Sequence, residues 1–182
     1  MIKDIVKGNV YHELGVLLKT NENYDVIYLG NILEHVIDPL ALITKCSALL
    51  SDGALLVITV PNYFSILQNI SVASNIVKRK YWICPPEHLN YFTLESLVKL
   101  QLASNLKVWD SICDFPIEWF LMNNASNYIN DPTVVKSAHL ARMHLDSLIN
   151  SSLDSQMKLN FWRSMAVLGF GRDITTFSKK IS

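Results

Sequence analysis

The sequence predicts a three-layer α/β fold with a parallel sheet. Strand-like and helix-like segments alternate over the first 114 residues, and residues 54–60 (Ala-Leu-Leu-Val-Ile-Thr-Val) are apolar at almost every position. That pattern is typical of a central parallel strand buried on both faces. The alternation indicates crossover connections, which place helices on the two sides of the sheet.

The first predicted strand and helix lie between residues 24 and 53. Residues 24–29 (Tyr-Asp-Val-Ile-Tyr-Leu) are mostly β-branched or aromatic, which favours a strand. Asp38 is a predicted N-cap for a helix beginning at Pro39, because proline at the first helical position loses no hydrogen bond. Gly53 suits the left-handed residue that ends a helical segment.

The later elements continue the alternation. Residues 64–77 have the length of a helix, and residues 78–90 form a predicted loop. Thr93 predicts an N-cap for a helix to about Ala103, followed by a strand over residues 106–112. Residues 115–168 are rich in aromatic side chains and are predicted to form a helical insertion before the last strand. We expect these aromatic side chains mainly to hold the insertion onto the sheet. A last short strand is predicted over residues 174–177.

Composition and charge exclude several classes of function. Sixteen basic and sixteen acidic residues cancel, so no long-range field draws the chain to nucleic acid or to an anionic membrane. The first residues lack an apolar signal region, and no apolar run approaches the roughly 20 residues that span a bilayer. The widely spaced Cys46, Cys84 and Cys113 are typical of reduced thiols. We therefore expect a single-domain, cytoplasmic protein with a small-molecule partner, without nucleic acid or membrane.

Polar residues follow two of the predicted strands. Gly30 and Asn31 follow the strand over residues 24–29, with His35 shortly after them, and Asn62 follows the apolar strand and Pro61. Ligands in open α/β sheets bind at the carboxyl ends of strands, so both positions are candidate site regions. His139 and His144 are one residue further apart than the i, i+4 spacing of helical metal ligands, and the sequence predicts no metal site.

Three blocks of sequence resemble one known family. Residues 24–39 contain Tyr-Asp-Val-Ile and Leu-Glu-His-Val-Ile-Asp-Pro, residues 49–62 end in Val-Pro-Asn, and residues 86–93 read Pro-Glu-His-Leu-Asn-Tyr-Phe-Thr. In this order and spacing they resemble the class I S-adenosylmethionine (SAM)-dependent methyltransferases of types 11 and 23, to which the ubiquinone-biosynthesis O-methyltransferases are similar. The resemblance implies a Rossmann-like methyltransferase fold and transfer of a methyl group from SAM to a small molecule.

The same resemblance implies roles for particular residues. Leu29, Gly30 and Asn31 would flank the cofactor SAM, and Asn9 and Val10 would lie near its adenine. His35 and His88 are the candidate catalytic residues for an acceptor that must lose a proton, although a structural role for His88 is an equal alternative. Residues 115–121, 139–142 and 168–174 resemble a subgroup of sugar and surface-polysaccharide methyltransferases. An anionic sugar precursor could contact residues 78–80, although a solvated loop is the favoured interpretation.

One family feature is absent from the printed sequence. Family members carry a Gly-x-Gly-x-Gly turn whose backbone amides approach the cofactor, whereas Gly8 and Gly15 have the wrong spacing for it. Residues 1–10 instead resemble the family's third strand. We expect a truncated, N-terminally incomplete fold, or half of a domain completed by something else, with an unpaired edge on the strand over residues 24–29. An inactive pseudoenzyme and a homodimerising interaction module are the alternative functions.

Overall fold

The computed structural model describes residues 7–20 and 22–181. Strands and helices alternate along these residues up to the end of the third strand, and a helical segment separates that strand from the last one. The elements are α1 (Val10–Leu17), β1 (Tyr24–Gly30), α2 (Pro39–Ala48), β2 (Leu50–Pro61), α3 (Ile66–Ala73), α4 (Leu94–Ala103), β3 (Leu106–Cys113), α5 (Glu118–Leu121), a 3-10 helix (Pro132–Val134), α6 (Val135–Ser152), α7 (Ser155–Val167) and β4 (Asp173–Lys180).

The four strands form one mixed sheet in the order β1-β2-β4-β3. β1 and β2 are parallel, whereas β4 pairs antiparallel with both β2 and β3. The α/β class is confirmed, but the sheet is parallel only in part. The helical segment after β3 returns the chain to the end of that strand, where Ile174 pairs with Cys113, so β4 must run against β3.

The main hydrophobic core lies between the sheet and helices α2 and α4. Alternate residues of β2 (Leu56, Ile58 and Val60) are fully buried, whereas the residues between them are half-buried. The expectation that this strand is buried on both faces is therefore wrong for the described structure. Helix α7 packs on β3 rather than on β2, which explains why the second face is less covered.

β1 occupies an edge of the sheet within the described residues. Its one strand neighbour there is β2. The side chains of Val26 and Tyr28 are 58% and 61% exposed, which is high for apolar residues of a strand. The sequence predicts this uncovered edge, because the strands that flank it in the family have no counterpart in these residues.

Local capping signals locate most helices correctly. The side chains of Asp38, Thr93 and Asp154 accept hydrogen bonds from backbone N–H groups in the first turns of α2, α4 and α7, at 2.9, 3.2 and 2.8 Å. The helix expected over residues 64–77 is shorter, because Phe64 and Asn75 have left-handed φ values of 59° and 55° and break it at both ends. Capped helix starts are thus more predictable than helix lengths.

The helical segment contains long but sparsely packed helices. Ala138 is the one fully buried residue of the 18-residue helix α6, whose Leu140, Met143 and Leu148 are largely exposed. Asp131 caps the 3-10 helix that leads into α6, with Oδ1 accepting from Thr133 N at 2.9 Å. Within the described ranges, no helix is both long enough and apolar enough to cross a membrane.

Candidate functional site at the strand ends

The carboxyl ends of β1 and β2 border a cavity of about 670 Å³. Its wall includes the two histidines selected from the sequence, together with acidic, basic and aromatic side chains from six parts of the chain. The polar side chains of this wall include Asn31, Glu34, His35, Asn62, Tyr63, Arg79, Tyr81, His88, Asp114, Glu118, Arg142, Arg172 and Asp173. The lining combines polar and apolar surface and carries both signs of charge, which suits a ligand with charged or hydroxyl groups.

His35 has a defined hydrogen-bonding state. Its Nδ1 lies 2.7 Å from the backbone oxygen of Glu87, which can only accept a hydrogen bond, so Nδ1 carries the proton. In the neutral ring Nε2 then has a free lone pair. That atom lies 3.7 Å from Oε1 of Glu34, and 46% of the histidine side chain is exposed. His35 is therefore able to accept a proton or to bind a ligand through Nε2.

His88 lies against His35 on the wall of the cavity. The ring centroids are 4.9 Å apart and the rings meet edge to face. Nδ1 of His88 makes a short hydrogen bond with the hydroxyl of the buried Tyr63, which leaves Nε2 without this partner. Burial raises the pKa of the Tyr63 hydroxyl, and the charge of Glu34 raises it further. Tyr63 is therefore neutral and fixes the orientation of His88.

Glu34 is the acidic member of this cluster. It is 1% exposed, and its Oε2 has no hydrogen-bond partner. Burial raises the pKa of its carboxyl, although His35 and His88 act in the opposite direction. One potential ligand atom from each of Glu34, His35 and His88 lies within 4.8 Å of the others. Two sequence blocks that lie far apart in the chain thus meet in one compact acid–base cluster.

Backbone and amide hydrogen bonds hold those two blocks together. The backbone oxygen of Glu34 accepts from Leu89 N at 2.7 Å and from Asn90 N at 3.1 Å. Nδ2 of Asn90 donates to the backbone oxygens of Leu33 at 3.0 Å and Val36 at 2.6 Å. These four bonds fix the loop that carries Glu34 and His35 relative to the loop that carries His88.

Asn62, selected as a site residue from its place after β2, has a structural role. It is 4% exposed, and its Nδ2 lies 3.1 to 3.3 Å from the backbone oxygens of Gly169, Phe170 and Gly171. Its backbone N–H donates to the oxygen of Arg172 at 2.7 Å. Asn62 therefore fixes the turn that leads into β4, and with it the far wall of the cavity.

The far wall contains acidic residues that the sequence did not indicate. Asp114 accepts hydrogen bonds through Oδ1 from the backbone N–H groups of Arg172 at 2.8 Å and Asp173 at 2.6 Å. Burial, reinforced by the charge of Asp173, raises the pKa of Asp114 to about 7. Buried Glu118 accepts from Tyr81 at 2.9 Å and has one unpartnered oxygen. A position directly after a strand was the one signal that could have revealed Asp114.

Comparison with known proteins decides the family. The profile of a family described as a methyltransferase domain matches residues 3–111, which is more than half of the chain. The chain belongs to this methyltransferase family. No curated protein sequence matches it.

Solved structures share the methyltransferase fold at low identity. A SAM-dependent methyltransferase from Archaeoglobus fulgidus is 18% identical with a TM-score of 0.56, over 97% of this chain and 67% of that chain. One from Thermotoga maritima, described as a possible histamine N-methyltransferase, is 12% identical with a TM-score of 0.51, over 98% and 64%. The chain therefore spans about two thirds of the length of these structures, and the Rossmann-like fold is confirmed.

Only one of the five residues expected near the methyltransferase cofactor lines the cavity. Asn31 follows β1 with a left-handed φ of 52° and lies on the cavity wall. Asn9 instead caps α1, with its side-chain oxygen 3.0 Å from Tyr11 N. Val10 packs against the core and Leu29 is 5% exposed, so neither presents a free side chain. Gly30 lies beneath the ring of Tyr28. The predicted strand over residues 1–10 falls mainly outside the described residues.

Three arginines of the methyltransferase line the same cavity. Arg79 comes from the loop that the sequence assigns to solvent, Arg142 comes from α6, and Arg172 precedes β4. In the described part of the chain, none of the three forms an ion pair within 4.0 Å. The cavity therefore offers guanidinium groups to an incoming anion as well as the histidine cluster.

Proposed function

We propose that this chain forms the acceptor-binding and catalytic part of a SAM-dependent methyltransferase that acts on a small polar molecule. The observation that supports this best is His35, which carries its proton on Nδ1, leaves Nε2 free to accept one, and lines the cavity at the carboxyl ends of β1 and β2. Membership of the methyltransferase family supports SAM as the methyl donor. The cofactor would approach from the side of Asn31, and the acceptor would occupy the cavity.

The proposed reaction is an in-line displacement at the methyl carbon. The acceptor oxygen would form a bond to the methyl carbon of SAM as the carbon–sulfur bond breaks, with the electron pair of that bond remaining on sulfur. The hydroxyl proton passes to Nε2 of His35, and the nearby Glu34 carboxylate stabilises the resulting imidazolium. Alignment of donor and acceptor supplies most of the remaining acceleration.

The charges of the cavity support a class of acceptor. Arg79, Arg142 and Arg172 suit a phosphate or carboxylate, because guanidinium groups bind these anions in a bidentate manner. The unpartnered oxygens of Glu34 and Glu118 suit the hydroxyl groups of the same molecule. We propose an anionic sugar or a surface-polysaccharide precursor, in agreement with the subgroup that residues 115–121, 139–142 and 168–174 resemble.

The test combines cofactor binding with methyl transfer from labelled SAM to a panel of phosphorylated and neutral sugars. Calorimetry with SAM first separates the enzyme from the inactive alternative, because a chain that binds no SAM transfers no methyl group. For a protein that binds SAM, we expect His35→Gln to lower kcat about 100-fold or more, since general-base catalysis contributes at least this factor. The matched control is His144→Gln, on an exposed position of α6.

Two results would contradict the proposal. A His35→Gln variant with kcat within threefold of the unchanged protein would show that His35 is not the base. Equal activity on phosphorylated and neutral sugars would remove the support for an anionic acceptor. The His144→Gln control should retain full activity in both assays.

A further inference from the structure

We propose that Glu34, His35 and His88 bind one divalent transition-metal ion. A ligand atom of each side chain lies within 4.8 Å of the other two, and Nε2 of His35 is 3.7 Å from Oε1 of Glu34. Protein nitrogen and oxygen ligands lie about 2.0 to 2.2 Å from zinc, so ligands on one metal are roughly 3 to 4 Å apart. Small side-chain rotations therefore bring the three atoms to coordination distance.

The carboxylate of Glu34 provides a second, independent observation. This side chain is 1% exposed and belongs to the cavity wall, yet its Oε2 has no hydrogen-bond partner. A buried carboxylate oxygen without a partner is costly, and metal coordination is one of the ways in which proteins satisfy it. The ion would supply the missing partner.

The hydrogen bonds around the two histidines match those of metal ligands. Metal-binding histidines usually donate the N–H that faces away from the metal to a carbonyl or another polar group, which fixes the ring and its tautomer. Nδ1 of His35 is 2.7 Å from the backbone oxygen of Glu87, and Nδ1 of His88 is bonded to Tyr63. His35 therefore keeps Nε2 available as a ligand, and His88 does so in the tautomer whose Nδ1–H donates to the Tyr63 hydroxyl oxygen, the tautomer that metal binding at Nε2 would select.

The ligand types indicate which metal ions this site would favour. Two imidazoles and one carboxylate suit Zn²⁺, Co²⁺, Mn²⁺ or Fe²⁺, whereas Mg²⁺ and Ca²⁺ prefer oxygen ligands alone. Three protein ligands leave coordination positions for oxygens from the cavity. Sequence spacing could not reveal this site, because its ligands come from two loops that are far apart in the chain. His35 and Glu87, which join the two loops by a hydrogen bond, are separated by 52 residues in sequence.

The function of the ion rests on the proposed methyltransferase activity, but its binding does not. A metal in this position would hold the acceptor oxygen and lower the pKa of its hydroxyl group, a common effect of bound divalent ions on oxygen ligands. Nε2 of His35 would then bind the metal and would no longer accept the proton. The two roles of His35 are therefore separable by experiment.

The experiment titrates the full chain, first dialysed against a chelator, with Co²⁺ and follows the visible absorption of the protein-bound ion. We expect one equivalent to bind, Zn²⁺ to displace it, and millimolar Mg²⁺ to leave the spectrum unchanged. His35→Gln and His88→Gln should each weaken Co²⁺ binding by more than 10-fold. Tyr63→Phe, which removes only the outer hydrogen bond, should weaken it by about 10-fold. The exposed His144→Gln variant is the control and should bind as the unchanged protein does.

Each outcome decides the inference. Absence of stoichiometric Co²⁺ binding, or equal binding by the His35→Gln variant, would overturn it. Circular dichroism of each metal-free variant shows whether weaker Co²⁺ binding comes from loss of a ligand or from loss of the fold. Because the His35 side chain is half-exposed, His35→Gln is the substitution least able to disturb the core. Metal binding without methyl transfer would contradict the proposed methyltransferase function but not the metal site. Full methyl transfer by the metal-free protein would show that the metal has no part in the reaction and that His35 acts as a base.

Discussion

The acceptor side and the cofactor side of the sheet edge use their polar groups differently. On the acceptor side, formed by the loops around Glu34 and His88, backbone and amide bonds hold the loops together and reactive atoms remain free. On the cofactor side, formed by residues 9–10 and 29–30, the Asn9 side chain caps α1 and Leu29 is buried. The first side presents unpartnered polar atoms at the cavity, whereas the described residues of the other mainly stabilise the fold.

This difference shows what the family blocks encode. The blocks over residues 33–39 and 86–93 are hydrogen-bonded to one another, whereas Asn62, at the end of the block over residues 49–62, bonds to the turn before β4. Residues of all three blocks line the cavity in which we propose that the acceptor binds. Recognition of the family from these blocks and completeness of the cofactor site are separate questions.

Asn90→Ala should have the largest effect on stability. The substitution removes two hydrogen bonds and leaves the backbone oxygens of Leu33 and Val36 without this partner. We expect the free energy of unfolding to fall by about 2 to 4 kcal/mol, because each unsatisfied buried group costs about 1 to 3 kcal/mol. Denaturant unfolding measures this change.

The matched control for Asn90→Ala is Asn9→Ala on the cofactor side. Asn9 caps a helix through two backbone N–H groups, so its loss should cost only about 1 kcal/mol. If the two variants lose equal stability, the proposed difference between the two sides of the sheet edge is wrong.

The helices and the site differ in how much of them the sequence predicts. Asp38 and Thr93 cap helices through contacts three residues away, so local chemistry was sufficient to locate those starts. The bond between Asp114 and the backbone of Asp173 spans 59 residues, and no local pattern predicts it. The same reason explains why the strand over residues 174–177 was predicted, but its antiparallel pairing and the far wall of the cavity were not.

Asp114→Asn tests whether the buried carboxyl on the far wall of the cavity makes the stability of the protein depend on pH. Its folded pKa of about 7 lies above the ordinary value of 3.8, so its contribution to stability is greatest below pH 4 and is lost as the pH rises to 7. Asp114→Asn keeps an oxygen for both backbone N–H donors and removes this titration. We expect the variant to gain about 1 to 2 kcal/mol relative to the unchanged protein between pH 4 and pH 7, allowing for solvent screening.

The measurement for Asp114 is denaturant unfolding at several pH values. Asp52→Asn, at an exposed position of β2, serves as the control and should retain the pH dependence of the unchanged protein. A parallel pH profile for Asp114→Asn would mean that this carboxyl does not titrate in the window from pH 4 to pH 7.

Gly30→Ala should have the smallest effect on stability of these substitutions, and it tests whether packing on the cofactor side requires a glycine after β1. A Cβ at Gly30 would meet the outer ring atoms and hydroxyl of Tyr28, which is 61% exposed and free to turn away. The φ angle of Gly30 is not in the left-handed region, so alanine fits the backbone. We expect the free energy of unfolding to change by less than about 0.5 kcal/mol, as for ordinary surface substitutions.

Gly15→Ala, in the open interior of α1, is the matched control for Gly30→Ala and should be neutral or slightly stabilising. A loss of more than about 1 kcal/mol at Gly30 would show that packing of the strand requires glycine. A small change in the free energy of unfolding would show that packing does not require glycine at position 30. Close approach of a ligand to the backbone after β1 would then remain as its role, because a side chain there would intrude only on the ligand.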